Sequence, residues 1–248
     1  MTTEKSGVPC LSVIIPTLNE AAHIDRVLED VSQGEAIDVI VVDGGSTDTT
    51  VEQASARGAR IYQGLPGRAR QMNQGAAMAR GALFFFLHAD SRLPTGFDQV
   101  IRRELDAPNI AAGAFSLGID ATAKKIRIVE YWANLRAHYL GLPYGDQGMY
   151  IRATLFHQCG GFPELPIMED FAMMRHLRKT GRIVTAPERI YTSSRRWRRM
   201  GVLRTTLINQ AIITGYLLGI SADRLSRWYR RSRGLDRAHR SRDISGGF

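Results

Sequence analysis

The sequence predicts an α/β protein: an open, mostly parallel sheet flanked by helices, followed by a C-terminal helical tail. Three observations carry this reading. Short apolar runs rich in β-branched or aromatic residues recur through the first 90 residues. Segments of helical character separate them. The residues that follow each run are polar and mostly acidic, as at the carboxyl edge of a doubly wound sheet.

The elements follow in order. Residues 11–16 form the first apolar run, closed by Pro16, residues 37–42 the second, and residues 82–87, with three consecutive Phe, the third. Each is too short for a helix and reads as a strand buried on both faces. Ile24, Val27, Leu28 and Val31 recur at helical spacing. Residues 47–57 and 68–80 are rich in good helix formers, and residues 59–63 read as an extra strand. Beyond residue 93 the pattern changes. Residues 111–119 alternate small and apolar side chains, as in a strand. Residues 124–139 read as an amphipathic helix, and 145–161 as a Gly-rich loop with a short strand. Residues 167–179 read as a helix ended by Gly181.

Composition bounds the function. With 248 residues, 44% of them hydrophobic, the chain can bury a large core, which excludes disorder and small disulfide scaffolds. Cys10 and Cys159 are the two cysteines, without a CxxC or Cys/His cluster, so no zinc site is expected and a reducing compartment fits. Residues 1–10 are polar and do not read as a secretory signal. The net charge of +9 is uneven: after Ser194 there are 13 Arg and 3 Asp, whereas the preceding 194 residues carry 20 basic and 21 acidic side chains. Such a tail suits an acidic partner such as lipid headgroups, or is simply solvated. No nucleic-acid motif accompanies it, so nucleic acid is not expected as a partner. In residues 202–220, 11 of 19 side chains are Val, Leu, Ile, Ala or Tyr, but Arg204, Asn209 and Gln210 make a bilayer span costly. A helix packed on the body or on a partner is the first reading, an interfacial membrane helix the second. Ser221-Ala222-Asp223 is placed to start a further helix carrying Leu225 and Trp228.

Ligands of open α/β sheets bind beyond the carboxyl ends of the strands. Pro16-Thr17-Leu18-Asn19-Glu20 follows the first strand, Asp43-Gly44-Gly45-Ser46-Thr47-Asp48 the second, and His88-Ala89-Asp90-Ser91 the Phe-rich strand. Turns favour such residues anyway, but three consecutive units point to a site. No GxGxxG, GxxxxGK[ST] or GxSxG occurs where a dinucleotide fold, a P-loop or an α/β-hydrolase would need it. A carboxylate-lined edge suggests a phosphate ligand bridged by Mg²⁺ or Mn²⁺.

The segments 12–20 and 41–48, then Leu87-His88-Ala89-Asp90-Ser91, Glu169-Asp170 and Arg196-Trp197, resemble a family 2 glycosyltransferase of GT-A fold in order and spacing. The resemblance covers about residues 10–200. Gly67-Arg68-Ala69-Arg70-Gln71-Met72-Asn73 and Gly145-Asp146-Gln147-Gly148 further resemble the compact bacterial members labelled radical-SAM/selenodomain-associated transferases. The resemblance implies a GT-A-type, Rossmann-like sheet over residues 1–200. A nucleotide-binding half would lie at about 10–92 and an acceptor half at about 93–200. Residues 201–248 would form an amphipathic, Arg-rich tail.

It also implies inverting transfer of a sugar from a nucleotide-sugar to an acceptor. Asp43 would accept the N3–H of a uracil ring; it would serve guanine donors as well, so UDP is a preference over GDP. Pro16 and Leu18 would line the nucleotide slot, with Asn19, Glu20 and Gly45 shaping its loops. Asp90 takes the second acid of the family's Asp-x-Asp motif and would ligate the metal. His88 replaces the first acid and would meet ribose or phosphate, with Ala89 between them. Arg68 and Asn73 would approach the donor at a helix start, and Arg196 the pyrophosphate, while Trp197 would stack on the acceptor. Ser193 stands where processive members carry Gln, which argues against polymerisation. Asp170 matches the catalytic base, beside Glu169. The expected enzyme is a metal-dependent inverting glycosyltransferase with a lipid-linked or small-molecule acceptor. It is expected in the cytoplasm, with peripheral contact on the inner face of the cell membrane through the Arg-rich tail. A homodimer stays open. The alternatives are a sugar-phosphate nucleotidyltransferase or a non-catalytic nucleotide-sugar-binding protein.

Overall fold

The structure, a computed structural model, describes residues 11–232; the side chains of Arg196 and Arg199 and the end of the expected Arg-rich tail lie outside the described residues. The chain divides into two compact units. The first runs to Glu164 and includes Asp170–Ser193; the second comprises Leu165–Glu169 and the chain from Ser194 onward.

The first unit is built on one eight-stranded mixed sheet of order β3-β2-β1-β4-β7-β6-β8-β5. Its strands are β1 (Leu11–Thr17), β2 (Ile37–Asp43), β3 (Arg60–Gln63), β4 (Leu83–Phe86), β5 (Ser91–Arg92), β6 (Ile110–Asp120), β7 (Met149–Arg152) and β8 (Arg182–Ser193). Its helices are α1 (Ile24–Val31), α2 (Thr50–Ala56), α3 (Arg68–Met78), α4 (Phe97–Asp106), α5 (Lys124–Leu140), α6 (Ala153–Gln158) and most of α7 (Glu169–Leu177).

The apolar runs become strands because both sheet faces are covered. Val13, Ile15, Val41 and Phe85 join one core with Ile24, Val27 and Val31 of α1 and with Phe97 and Ile101 of α4. The intervening Ile14, Ile40, Val42, Phe84 and Phe86 join a second core with Met72 and Ala76 of α3 and with Met173 and Met174 of α7. Alternate residues thus feed opposite cores, and each large side chain withdrawn from water contributes about 1.5–3 kcal/mol.

β1, β2, β3 and β4 are mutually parallel where they pair, so Thr17, Asp43 and Phe86 end at one edge. β7 runs antiparallel to β4, with Met149 opposite Phe86. The residues that precede β7 therefore lie at the edge that the residues after β4 also reach.

Four features differ from the sequence expectation. β1 does not stop before Pro16 but runs through it to Thr17. The Ile14 carbonyl accepts from Leu87 N on the β4 side (3.0 Å). Pro16, two residues on, faces the same side, where β4 has already ended at its pair with Ile14. The missing N–H therefore removes no ladder bond. The segment 145–161, expected as a loop with a short strand, holds that strand as β7 but adds a 3₁₀ turn (Gly145–Gln147) and the helix α6. α4 and β5 lack a clear sequence signal. In β8 the pairing with β6 skips from Ala186 to Arg189, so Pro187 and Glu188 form an irregularity that breaks the strand pattern.

The second unit is helical: α8 (Arg195–Met200), α9 (Val202–Leu217) and α10 (Ala222–Ser232). α9 and α10 approach closely at Gly215, where a β-carbon would lie 2.9 Å from Leu225 Cδ2. Among the described residues no helix is long and apolar enough to cross a membrane.

The β6–β7 pair yields a stability prediction. Gly113 sits opposite Tyr150, and a β-carbon at Gly113 would lie 2.1 Å from the Tyr150 ring. That ring is fully buried and its hydroxyl donates to Glu104, so it has nowhere to turn. Gly113→Ala is expected to cost about 1–3 kcal/mol, as overpacking does, read as a lower urea midpoint at unchanged slope. An unchanged midpoint would show that the ring moves aside freely.

Candidate active site

The loops after β1 and β2 are tied to each other by Asp43. Its carboxylate is 1% exposed. Oδ2 accepts from the backbone N–H of Gly45 (2.9 Å) and Ser46 (2.8 Å), and Oδ1 from the hydroxyls of Ser46 and Thr17 (3.3 Å for the latter). A carboxylate has about four acceptor positions, and all are filled. Asp43, expected to accept a uracil N3–H, is buried and holds its own loop with these four bonds.

The rest of this loop pair is equally bound together. Asn19, in the left-handed region at φ 55°, donates its N–H to Ser46 Oγ (2.8 Å) and accepts from Thr47 N (2.9 Å) on Oδ1. Glu20 N donates to Thr50 Oγ1 (2.9 Å), and Ala21 N to Asp48 Oδ2 (3.2 Å). The Thr50 hydroxyl, ahead of these backbone donors, holds the Asp48 carboxyl below its ordinary value. Gly45 sits at φ 96°, a conformation that L side chains rarely adopt. Leu18 is 47% exposed and Pro16 half-buried, so both present apolar surface at the edge. Gln71 of α3, 5% exposed, donates from Nε2 to the carbonyls of Thr17 and Val42, both at 2.8 Å, and so anchors the start of α3 to both strand ends. Arg68 is exposed at that helix start.

Asn73 takes a different place from the one expected. Its Nδ2 donates to Phe162 O and its Oδ1 accepts from Phe162 N, both at 2.8 Å. Both ends of the amide are spent on the backbone after α6, so Asn73 is a clamp and not a donor contact. Ala89 is 5% exposed and its methyl belongs to the core, leaving only its backbone for the edge.

The chemistry-bearing groups gather where β4 ends and β7 begins. His88 and Asp90 are half-buried in the turn closed by Ser91 N to His88 O (3.1 Å). Across from them lies the turn Tyr144–Gly148. Gln147, fully buried, locks that turn: Nε2 donates to Phe115 O (3.1 Å) and Oε1 accepts from Tyr144 N (3.1 Å). Gly145 N donates to Asp170 Oδ2 at 2.6 Å, while Asp170 Oδ1 accepts from Phe171 N at 2.7 Å. A β-carbon on Gly145 would lie 3.1 Å from both Asp170 Oδ2 and His88 Nε2. Glycine here lets residues 88, 145 and 170 converge.

Arg136 and Tyr144 complete the cluster. The Arg136 guanidinium lies 3.4 Å from the centroid of the Tyr144 ring, and its Nε–H donates to Leu142 O at 3.0 Å. Burial, first of all, pushes the Tyr144 phenol up to about 12; Arg136 opposes, and Asp170 and Asp146 add to the rise. Tyr144 thus stays protonated at neutral pH. Sequence reasoning passed over Arg136 and Tyr144. Tyr144 adjoins the Gly145–Gly148 motif, the one signal available, and nothing in the spacing marks Arg136.

Residues 12–162 match the family described as Glycosyl transferase family 2. The chain belongs to that family. A PGL/p-HBAD biosynthesis glycosyltransferase of Mycobacterium bovis is 35% identical over 96 residues, 35% of this chain and 38% of that protein. Glucosyl-3-phosphoglycerate synthase of Mycobacterium tuberculosis is 35% identical over 92 residues, 32% of this chain and 28% of that one. These matches span about a third of the curated relatives' own length. Among solved structures, the Pyrobaculum calidifontis mannosyltransferase in complex with GDP-Man and Mn²⁺ superposes with TM-score 0.63 at 18% identity, over 97% of this chain and 76% of that one. The M. tuberculosis glucosyl-3-phosphoglycerate synthase with Mn²⁺, UDP and glucosyl-3-phosphoglycerate gives 0.57 at 20%, over 73% and 70%. At that identity they establish the fold, the GT-A fold of family 2.

The remaining family-matched residues fall in the second unit. Glu169 is 4% exposed. Trp197 on α8, expected to stack on the acceptor, is 6% exposed. The side chain of Arg196 lies outside the described residues.

The Asp43 geometry makes a prediction that separates scaffold from base reader. Asp43→Ala strands the N–H groups of Gly45 and Ser46, at about 1–3 kcal/mol for each donor left unmet. A clear drop in unfolding free energy by urea titration is expected. Undiminished stability with lost nucleotide binding would restore the base-reading role.

Proposed function

We propose that the protein is an inverting glycosyltransferase that moves a sugar from a nucleotide-diphosphate sugar, first of all a UDP-sugar, to a hydroxyl of a lipid-linked or small-molecule acceptor. The observation that carries this reading is the convergence of Asp170, Gly145 and His88 at the carboxyl edge of the sheet, beside the turn that bears Asp90. Neighbouring structures in complex with UDP and Mn²⁺ or with GDP-Man and Mn²⁺ support the donor class. The division of labour follows the chain: donor in about residues 10–92, acceptor in about 93–200.

Asp170 is the general base. Gly145 N–H fixes the direction of Oδ2 and leaves acceptor capacity for a proton. The acceptor oxygen forms its bond to the anomeric carbon and gives its proton to Asp170. On the opposite face the bond to the diphosphate oxygen breaks, and the electron pair departs with the nucleotide. His88 is the group that meets ribose or phosphate, and Leu18 and Pro16 line the base slot.

Among the described residues no three His, Cys, Asp or Glu side chains form a metal-holding group. One hard carboxylate, Asp90, fits an ion that enters with the diphosphate and takes its other ligands from phosphate oxygens and water. Mg²⁺ or Mn²⁺ held there by Asp90 would neutralise charge on the leaving diphosphate.

Peripheral membrane contact is assigned to the second unit. Leu203 and Leu207 of α9 are 74% and 60% exposed, and α10 carries Trp228, 45% exposed, among Arg224, Arg227, Arg230 and Arg231. Basic residues near an anionic surface contribute about 1 kcal/mol each.

Three measurements test these readings. Asp170→Asn keeps the shape and removes the basicity; turnover should fall by at least about 10²-fold, or roughly 2.7 kcal/mol of barrier, with UDP affinity unchanged. Full turnover in that variant would remove Asp170 from the reaction. Calorimetry should show UDP binding more tightly with Mn²⁺ than with EDTA, and Asp90→Ala should erase most of the difference; equal affinities in the unaltered protein would overturn the metal reading. Co-sedimentation with anionic vesicles should exceed that with neutral ones and fall with salt, whereas equal partitioning would leave the arginines merely solvated.

A further inference from the structure

Arg136 has no part in the transfer described above, yet it is held firmly beside the base. Its guanidinium is half-buried, stacked on Tyr144 at 3.4 Å and tethered through Nε–H to Leu142 O. Among the described residues its two terminal NH₂ groups donate to no acceptor, and no carboxylate stands within ion-pair distance of it. Stacking and the tether fix the plane of the fork, so little freedom is lost when a planar or tetrahedral anion takes the remaining donors.

Two acids also lie near the ring on which Arg136 stacks. Tyr144, directly beneath it, feels the charges of Asp170 and Asp146 as well. An ionised base facing the acceptor repels an anionic acceptor unless a cation offsets it. A neutral sugar hydroxyl would not need such a fork. The Arg136 donors rise from α5, next to the turn that orients Asp170, whereas the proposed diphosphate site lies with Asp90 after β4.

We propose that Arg136 reads an anion on the acceptor, and that the acceptor carries a phosphate near the hydroxyl that is glycosylated. This rests on the glycosyltransferase reading and names the class of its acceptor. The phosphate belongs to a soluble phosphomonoester or to a lipid-borne phosphate; Arg136 serves both through the same N–H donors.

The test uses the full chain saturated with UDP and Mn²⁺. One arm titrates glycerol 1-phosphate by calorimetry; the other titrates dihexanoyl phosphatidylglycerol below its micelle concentration, which carries headgroup hydroxyls beside a lipid-borne phosphate and offers the α10 arginines no charged surface. The unaltered protein is expected to bind in one arm, which identifies the source. Arg136→Gln should weaken that binding by about tenfold or more, and Arg136→Lys should restore part of it, with UDP affinity and melting temperature unchanged in both. If Arg136→Gln fails to fold, Arg136→Lys decides, since it keeps the charge and loses the fork. Failure of the unaltered protein to bind phosphate in either arm, or equal binding by Arg136→Gln, would overturn the proposal. So would a loss of UDP affinity in Arg136→Gln, which would put the arginine on the donor. Absence of UDP binding by the unaltered protein, seen before any phosphate is added, would instead bring down the donor reading, and this inference with it.

Discussion

The antiparallel register of β7 against β4 is the constraint on which the site depends. With Met149 opposite Phe86, the four residues before β7 must lie at the edge that the chain reaches just after β4. Those residues carry Gly145, and the chain after β4 carries His88 and Asp90. The register is strongly specified because Phe84 and Phe86 face one core and Phe85 the other. A slip by one residue would turn all three rings to the wrong face. Packing of three phenylalanines thereby sets the position of the turn that bears Gly145.

A second layer of control is polar and local. Asp43, Asn19, Gln71 and Asn73 spend their hydrogen bonds on backbone groups of neighbouring loops. Loops at a sheet edge cannot use ladder bonds, and buried polar groups left unmet are costly. These side chains supply the missing partners. The result is a preorganised rim in which Asp90, His88 and Asp170 need little rearrangement to meet a ligand.

The same logic separates residues that support from residues that act. Asp43, buried and fully bonded, supports its loop. Asp170 keeps a directed oxygen because a single backbone N–H holds it, from a residue with no side chain to intervene. Tyr144 and Arg136 add a buried ring and a cation to that neighbourhood, which gives it its own electrostatic character.

Much of this was legible in the sequence. Runs such as residues 37–42, and the helical spacing of Ile24, Val27, Leu28 and Val31, encode strand and helix directly, because local periodicity is what buries them. The polar residues after three successive strands, and the family motifs through Glu169-Asp170, marked the edge and its chemistry. β8 escaped because Pro187 and the register shift beside it disguise a strand that pairs with a distant partner. Only the tertiary structure decided which polar residues are free to act. Asp43 and Asn73 spend their polar atoms on neighbouring loops, and the side chains of Ala89 and Trp197 are buried. Arg136 was invisible for the converse reason: its meaning lies in a stack on Tyr144 and in proximity to Asp170. Arg136 meets Tyr144 across the turn that ends α5, and Asp170 reaches the same turn from α7; helical spacing encodes neither.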